Sequence, residues 1–193
     1  MSKIPTLLSN IRSCHLCYEH LPLGPSPVIQ FDLRAKILIV GQAPGKKVHE
    51  TGIPFDDPSG KGLREWLGID NDVFYDEKHI AILPIGFCFP GTGKYGDLPP
   101  RPKCAATWRA ELLDNLKHLE LTLVIGKYAQ EYHLGKSGSS VTEIVSTWQT
   151  YWPEVVPLPH PSPRNNHWLR NNPWFEAELV PRLQKRVSEV LKR

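Results

Sequence analysis

Four short apolar runs, each closed by a loop that carries glycine or proline, constrain this chain more than any other feature. They are Lys36 to Val40, Ile80 to Ile85, Leu121 to Ile125 and Val155 to Leu158. The first is rich in β-branched residues and closed by Gly41, the pattern of a parallel strand buried on both faces. Between the runs lie stretches of helical character: Thr6 to Tyr18, Gly62 to Gly68 with Leu63, Trp66 and Leu67, Cys104 to Leu116, Lys127 to Leu134, and an amphipathic, charge-laced tail from Pro173 to Arg193. Strands alternating with helices predict an α/β fold with a mainly parallel sheet. Ligand sites in such sheets form at the carboxyl ends of the strands. Gly41, the Cys88 region, Gly126 and His160 all follow predicted strands.

Length and composition narrow the class. The 193 residues predict one domain over 1–193, large enough to bury a sizeable core. A chain that is 40% hydrophobic and 22% charged is an ordinary globular mix, not a disordered one. The net charge of +3 permits an anionic partner without demanding one. No apolar run is long enough to span a bilayer, and Met1-Ser2-Lys3-Ile4-Pro5 does not read as a signal peptide, so a cytoplasmic protein is expected. The 19 prolines imply long, shaped loops, of which Gly41 to Gly60 and Phe89 to Lys103 are the richest.

The cysteines are Cys14, Cys17, Cys88 and Cys104. The first two form C-x2-C, a spacing that lets one turn present two thiolates to one metal centre. In a cytosolic protein such pairs point to metal ligation or catalysis rather than disulfides. Four thiolates suit tetrahedral zinc or a [4Fe–4S] cluster, and spacing alone leaves both open, with four unconnected thiols as the plain alternative.

Two loops carry candidate chemistry. Val40-Gly41-Gln42-Ala43-Pro44-Gly45 ends the first strand, so its backbone can approach a ligand closely. Beyond it come His49, Gly52-Ile53-Pro54-Phe55, Asp56-Asp57 and Ser59-Gly60. Phe55 is either a loop residue tucked into the core or a platform for a planar ligand. Asp56 and Asp57 either cap the following helix or position water and act as a base. The second loop is His160-Pro161-Ser162-Pro163-Arg164-Asn165-Asn166-His167-Trp168. Its two prolines fix the direction of His160, Arg164 suits phosphate, and Trp168 is either a wedge for stacked bases or a packed ring.

These residues resemble the uracil-DNA glycosylase superfamily, and most closely its iron–sulfur branch, family 4. Gly41-Gln42-Ala43-Pro44-Gly45 followed by Gly52-x-Pro54-Phe55 and Ser59-Gly60 is similar to the family's first motif. The four cysteines are similar in spacing to the branch's cluster ligands, and His160-Pro161-Ser162-Pro163 to the second catalytic motif. Leu123-Val124-Ile125-Gly126 with Ala129 fits the third strand and turn. The resemblance spans roughly Ile11 to Leu191. It implies a three-layer α/β/α fold with a four-stranded parallel sheet. It implies a structural [4Fe–4S] cluster on Cys14, Cys17, Cys88 and Cys104, and removal of a damaged base from DNA by hydrolysis of the N-glycosidic bond. Phe55 would stack on the flipped base, Gln42 and Ala43 would bind its carbonyl edge, and His160 would stabilise charge developing on it. Ser162, Arg164, Asn165 and Trp168 would contact DNA. The expected partner is DNA, with no nucleotide cofactor and no membrane, and the expected state is a monomer.

The sequence departs from that branch at two positions. Gln42 stands where Glu is usual, and an amide neither accepts a proton nor carries charge. Pro84 stands where Asn usually reads the uracil edge, and offers only a carbonyl. Asp57, then Asp56, are the expected replacements for the missing carboxylate, with His49 behind them. The stretch Gly91 to Lys103 holds no His, so covalent trapping is not expected. A lesion-binding protein without hydrolysis, and a nucleoside hydrolase, are the competing readings.

Overall fold

The computed structural model describes residues 4–192; Met1 to Lys3 and Arg193, the end of the expected tail helix, lie outside the described residues. Helix α1 (Ile4–Arg12) precedes β1 (Ile37–Val40), and α2 (Lys46–Thr51), α3 (Pro58–Leu67) and α4 (Asn71–Phe74) lead to β2 (Ile80–Ile82). A hairpin of β3 (Thr92–Gly93) and β4 (Gly96–Asp97) follows. Next come α5 (Pro102–Cys104), a π turn (Ala105–Arg109), α6 (Ala110–Asn115), β5 (Leu121–Ile125) and α7 (Gly126–Leu134). The chain ends with α8 (Val141–Ser146), β6 (Val155–Leu158), α9 (Asn166–Asn171), a second π turn (Phe175–Leu179) and α10 (Val180–Lys192).

Strands β1, β2, β5 and β6 form one parallel sheet in the order β2-β1-β5-β6. Alternation along the strands sends successive residues to opposite faces. Ile37 and Ile39 face Leu63, Trp66, Val187 and Val190, whereas Leu38 and Val40 face Leu7, Ile11, Leu112 and Ala129. Helices α3, α8 and α10 thus cover one face and α1, α6 and α7 the other, which makes a three-layer α/β/α fold. The chain runs from β1 to β2 on one side and returns to β5 on the other. The crevice where the order reverses, at the strands' carboxyl ends, is where a ligand site is expected.

Several element boundaries differ from the sequence reading. Helix α1 stops at Arg12, and Cys14 to Cys17 turns away before the short 3-10 segment Tyr18–His20. Strand β2 ends at Ile82, although Leu83 and Ile85 still donate to Ile39 O and Gly41 O at 2.9 Å each. Helix α3 begins at Pro58, four residues before Gly62, because Asp57 caps it and Pro at the first helical position is preorganised for it. The Phe89 to Lys103 stretch, expected as plain loop, contains the β3–β4 hairpin.

Candidate active site

The loop after β1 is shaped by steric necessity. Phe55 has φ 55, the one positive φ at a non-glycine position among the described residues. A bulky side chain in that region is strained, and such strain persists only where the surroundings over-determine it. Here the constraint is Gly60: a Cβ placed on it would lie 1.8 Å from the Phe55 carbonyl oxygen. The ring of Phe55 meets Phe74 edge-on at 6.1 Å, and its tip lies 3.7 Å from where a Gly41 Cβ would be. Phe55 is therefore tied to the core on one side and lines a cleft on the other.

That cleft, of about 690 Å³, is walled by the Gly41–Gly45 turn, Phe55, Asp57, Ser59, Pro84 and the His160 loop. Of the residues expected there, Gln42, Ala43, Phe55, Asp57, Pro84, His160, Ser162, Arg164 and Asn165 line it. Asp56 and His49 do not. Asp56 pairs with Lys47 at 3.7 Å, and the His49 ring lies 6.2 Å from Phe89. Trp168 also stays outside the main cleft. Its indole N–H donates to Thr142 Oγ1 at 2.7 Å, its ring packs on Trp174 and Phe175, and it borders a smaller neighbouring cleft of about 300 Å³.

His160 sits just past β6 and is held by Asn165, whose Nδ2 donates to the His160 carbonyl at 2.7 Å. Protein surrounds the imidazole on most sides, although part of the residue remains open to solvent. Desolvation pulls its pKa below 6.5, and the charges of Asp57 and Asp97 act in the opposite direction. The ring is therefore neutral at pH 7 and able to donate one N–H. Asp57 Oδ1 accepts from Gly60 N–H at 2.8 Å, so the carboxylate caps α3 while facing the cleft.

Two departures from the expected motif have visible consequences. The Gln42 amide nitrogen donates to Leu98 O at 2.8 Å and Asp97 O at 3.3 Å, which ties the β1 loop to the hairpin. The Pro84 carbonyl accepts from Arg109 Nη1 at 2.8 Å, and Leu83 O accepts from the same nitrogen. Arg109 is fully buried and reaches His133 Nε2 with Nη2 at 2.9 Å. Sequence reasoning misses this guanidinium, since one Arg on a helix reads as surface. It also misses Asp97 and Tyr95, which line the cleft from the hairpin. The available signal is Gly93-Lys94-Tyr95-Gly96, two residues between glycines.

The four cysteines line a second cavity together with Ile11, Phe87 and Trp108. Phe87 N–H donates to Cys104 Sγ at 3.3 Å, and a backbone hydrogen bond from Ser26 reaches Cys88. Burial pushes the Cys88 thiol up to about 11 and the Cys104 thiol up to about 12. Among the described residues no three His, Cys, Asp or Glu side chains form a set able to hold a single metal ion.

The sequence profile of the uracil DNA glycosylase superfamily matches residues 28–184, most of the chain and all of the main cleft. The chain belongs to that superfamily. The match takes in Cys88 and Cys104 and leaves Cys14 and Cys17 outside. A solution NMR structure of a Methanosarcina acetivorans protein, described as a candidate uracil DNA glycosylase, is 17% identical; the alignment covers 82% of this chain and 94% of that one, with a TM-score of 0.49. No helix among the described residues of this superfamily member is long and apolar enough to cross a membrane.

Proposed function

We propose that the protein is a DNA glycosylase that hydrolyses the N-glycosidic bond of uracil, or of another deaminated or modified base, flipped out of DNA. The observation that carries this is the convergence of Phe55, Gln42, Ala43 and His160 on one cleft at the carboxyl ends of the sheet. A base inside a duplex is out of reach, and extruding it costs a few kcal/mol. Phe55 stacks on the flipped base, and the backbone around Gln42 and Ala43 meets its edge. As the bond to C1′ breaks, charge develops on the base, and the neutral His160 N–H donates to it. A preorganised donor of this kind contributes about 3 kcal/mol. Asp57 holds a negative charge in the same cleft, where the sugar becomes oxocarbenium-like. Lys46, Lys47 and Arg164 at the cleft suit phosphates, so binding weakens with salt.

The same reading assigns Cys14, Cys17, Cys88 and Cys104 to one [4Fe–4S] cluster, with zinc as the competing occupant. Two observations support the fit. All four thiols border one cavity, and backbone N–H groups already point at Cys88 and Cys104, as they do at metal-bound thiolates. When bound, the cluster supplies a cross-link between the α1 end and the Phe87–Cys104 region, not chemistry on the base.

Oligonucleotides carrying uracil, hypoxanthine, xanthine or modified pyrimidines, treated with the protein and then with alkali, test the activity. Strand breaks at one of these bases are expected, and their absence for all of them would overturn the reading. Gln42 favours one alternative, a lesion-binding protein without hydrolysis, since the amide carries no charge and its nitrogen is engaged by the hairpin. Salt-dependent binding without base release distinguishes it.

A further inference from the structure

The chemistry proposed above needs a carboxylate to take a proton from water, and Gln42 cannot supply one. The structure shows what Gln42 does instead. Its amide nitrogen grips the peptide oxygens of Asp97 and Leu98, holding the β3–β4 hairpin against the β1 loop. Asp97 is the hairpin's last strand residue and lines the cleft with Phe55 and His160. Its Oδ1 accepts from Thr92 Oγ1 at 3.1 Å, and its Oδ2 lies 3.6 Å from where a Cβ on Gly45 would be. The carboxylate therefore lies within ordinary contact range of the Gly41–Gly45 turn.

Asp57 is the other carboxylate of the cleft, and its situation differs. Its Oδ1 is bonded to Gly60 N–H at the start of α3, whose N-terminal dipole favours the anion. That oxygen is committed to the start of the helix, which fixes the Asp57 carboxylate in place at the cleft wall. The side chain of Asp97 is exposed and has one hydroxyl as its hydrogen-bond donor. Two carboxylates in unlike surroundings take unlike roles.

We infer that Asp97 is the water-activating carboxylate of this protein, delivered to the cleft by the hairpin that Gln42 holds. The inference rests on the DNA glycosylase reading. In the step it performs, Asp97 accepts one proton from a water molecule while the water oxygen bonds to C1′. The C1′–N bond breaks and its electron pair leaves with the base, whose charge His160 meets. The proton on Asp97 returns to the released base or to solvent, so one water is consumed for each base and abasic site formed.

The test uses the full chain and whichever substrate of the base-release panel the wild type cleaves. Single-turnover base release is measured beside affinity for the same duplex carrying a 2′-fluoro, non-hydrolysable nucleotide. Asp97→Asn keeps an acceptor for Thr92 and is expected to slow release by about 100-fold or more with affinity retained. Gln42→Ala leaves Asp97 in the chain but releases the hairpin, and is expected to slow the same step. Wild-type rates in either variant would overturn the inference. So would an Asp97→Asn loss that appears equally in affinity, or a loss confined to Asp57→Asn. A wild type that releases no base from any substrate overturns the glycosylase reading and the inference together, whereas an active wild type with an active Asp97→Asn variant overturns the inference alone.

Discussion

The Phe55 carbonyl oxygen lies so close to Gly60 that a Cβ there would stand 1.8 Å from it. This contact links the strained φ of 55 at Phe55 to the first turn of α3. Gly60→Ala forces the two segments apart and removes the constraint that holds the ring over Gly41. A destabilisation of about 1–3 kcal/mol is expected from the overpacking, read as a lower urea midpoint with an unchanged slope. Base release falls with it, because the stacking platform moves. A variant as stable and active as wild type would show that the loop yields without cost.

Asp57 combines a cap with a charge, and two substitutions separate them. Asn caps nearly as well as Asp, so Asp57→Asn is expected to leave stability within a few tenths of a kcal/mol, whereas Asp57→Ala loses about 1 kcal/mol. Both remove the negative charge from the cleft and slow base release to a similar degree. If Asp57→Asn keeps full activity while Asp57→Ala loses it, the residue acts only through the helix. Thermal unfolding and single-turnover rates on the same preparations decide between these outcomes.

The sheet is more legible in the sequence than the site. Leu121 to Ile125 and Val155 to Leu158 can be read at their true bounds, because buried parallel strands are continuous apolar runs. Helix α3 starts earlier than its sequence suggests, because Gly60 and Gly62 look like helix breakers. They stand there for close approach, Gly60 to Phe55 and Gly62 to Pro161, whose carbonyl oxygen would stand 3.0 Å from a Cβ at Gly62. Short helices such as α2 and α9 carry too little apolar repeat to be seen. At the cleft, Phe55 and His160 are legible from prolines and strand ends. Asp97 and Arg109 are not. Their roles depend on contacts with residues far along the chain, Gln42 for one and Leu83, Pro84 and His133 for the other. No local pattern records those.

The four thiols give a direct prediction about metal. Protein purified without oxygen is expected to be brown and to carry about four iron atoms per chain, as a [4Fe–4S] cluster requires. Cys17→Ser and Cys104→Ser are each expected to lose colour and iron together, although Cys17 and Cys104 lie on different segments. Iron that survives both substitutions, or one zinc per colourless chain, would remove the cluster assignment while leaving the cleft untouched.

Arg109 is buried and His133 half-buried beside it, and protonation of the His133 imidazole opposes folding in acid. Desolvation, followed by the neighbouring Arg109 charge, lowers the His133 pKa from 6.5 to about 4. The ring therefore stays neutral in the fold, accepting at Nε2 from Arg109 Nη2. Below the unfolded pKa the unfolded chain takes up a proton that the folded one refuses. Stability is thus lost as pH falls from 6.5 towards about 4, and is fully present above 6.5. Across that interval the loss grows by about 1.4 kcal/mol per pH unit and reaches about 3 kcal/mol at most. His133→Gln keeps an acceptor for Arg109 but cannot titrate. Its stability is expected to fall less between pH 7 and pH 5 than that of the wild type, by about 1–2 kcal/mol. Urea unfolding at the two pH values measures this, and an equal fall in both proteins would show that the pair does not set the acid sensitivity.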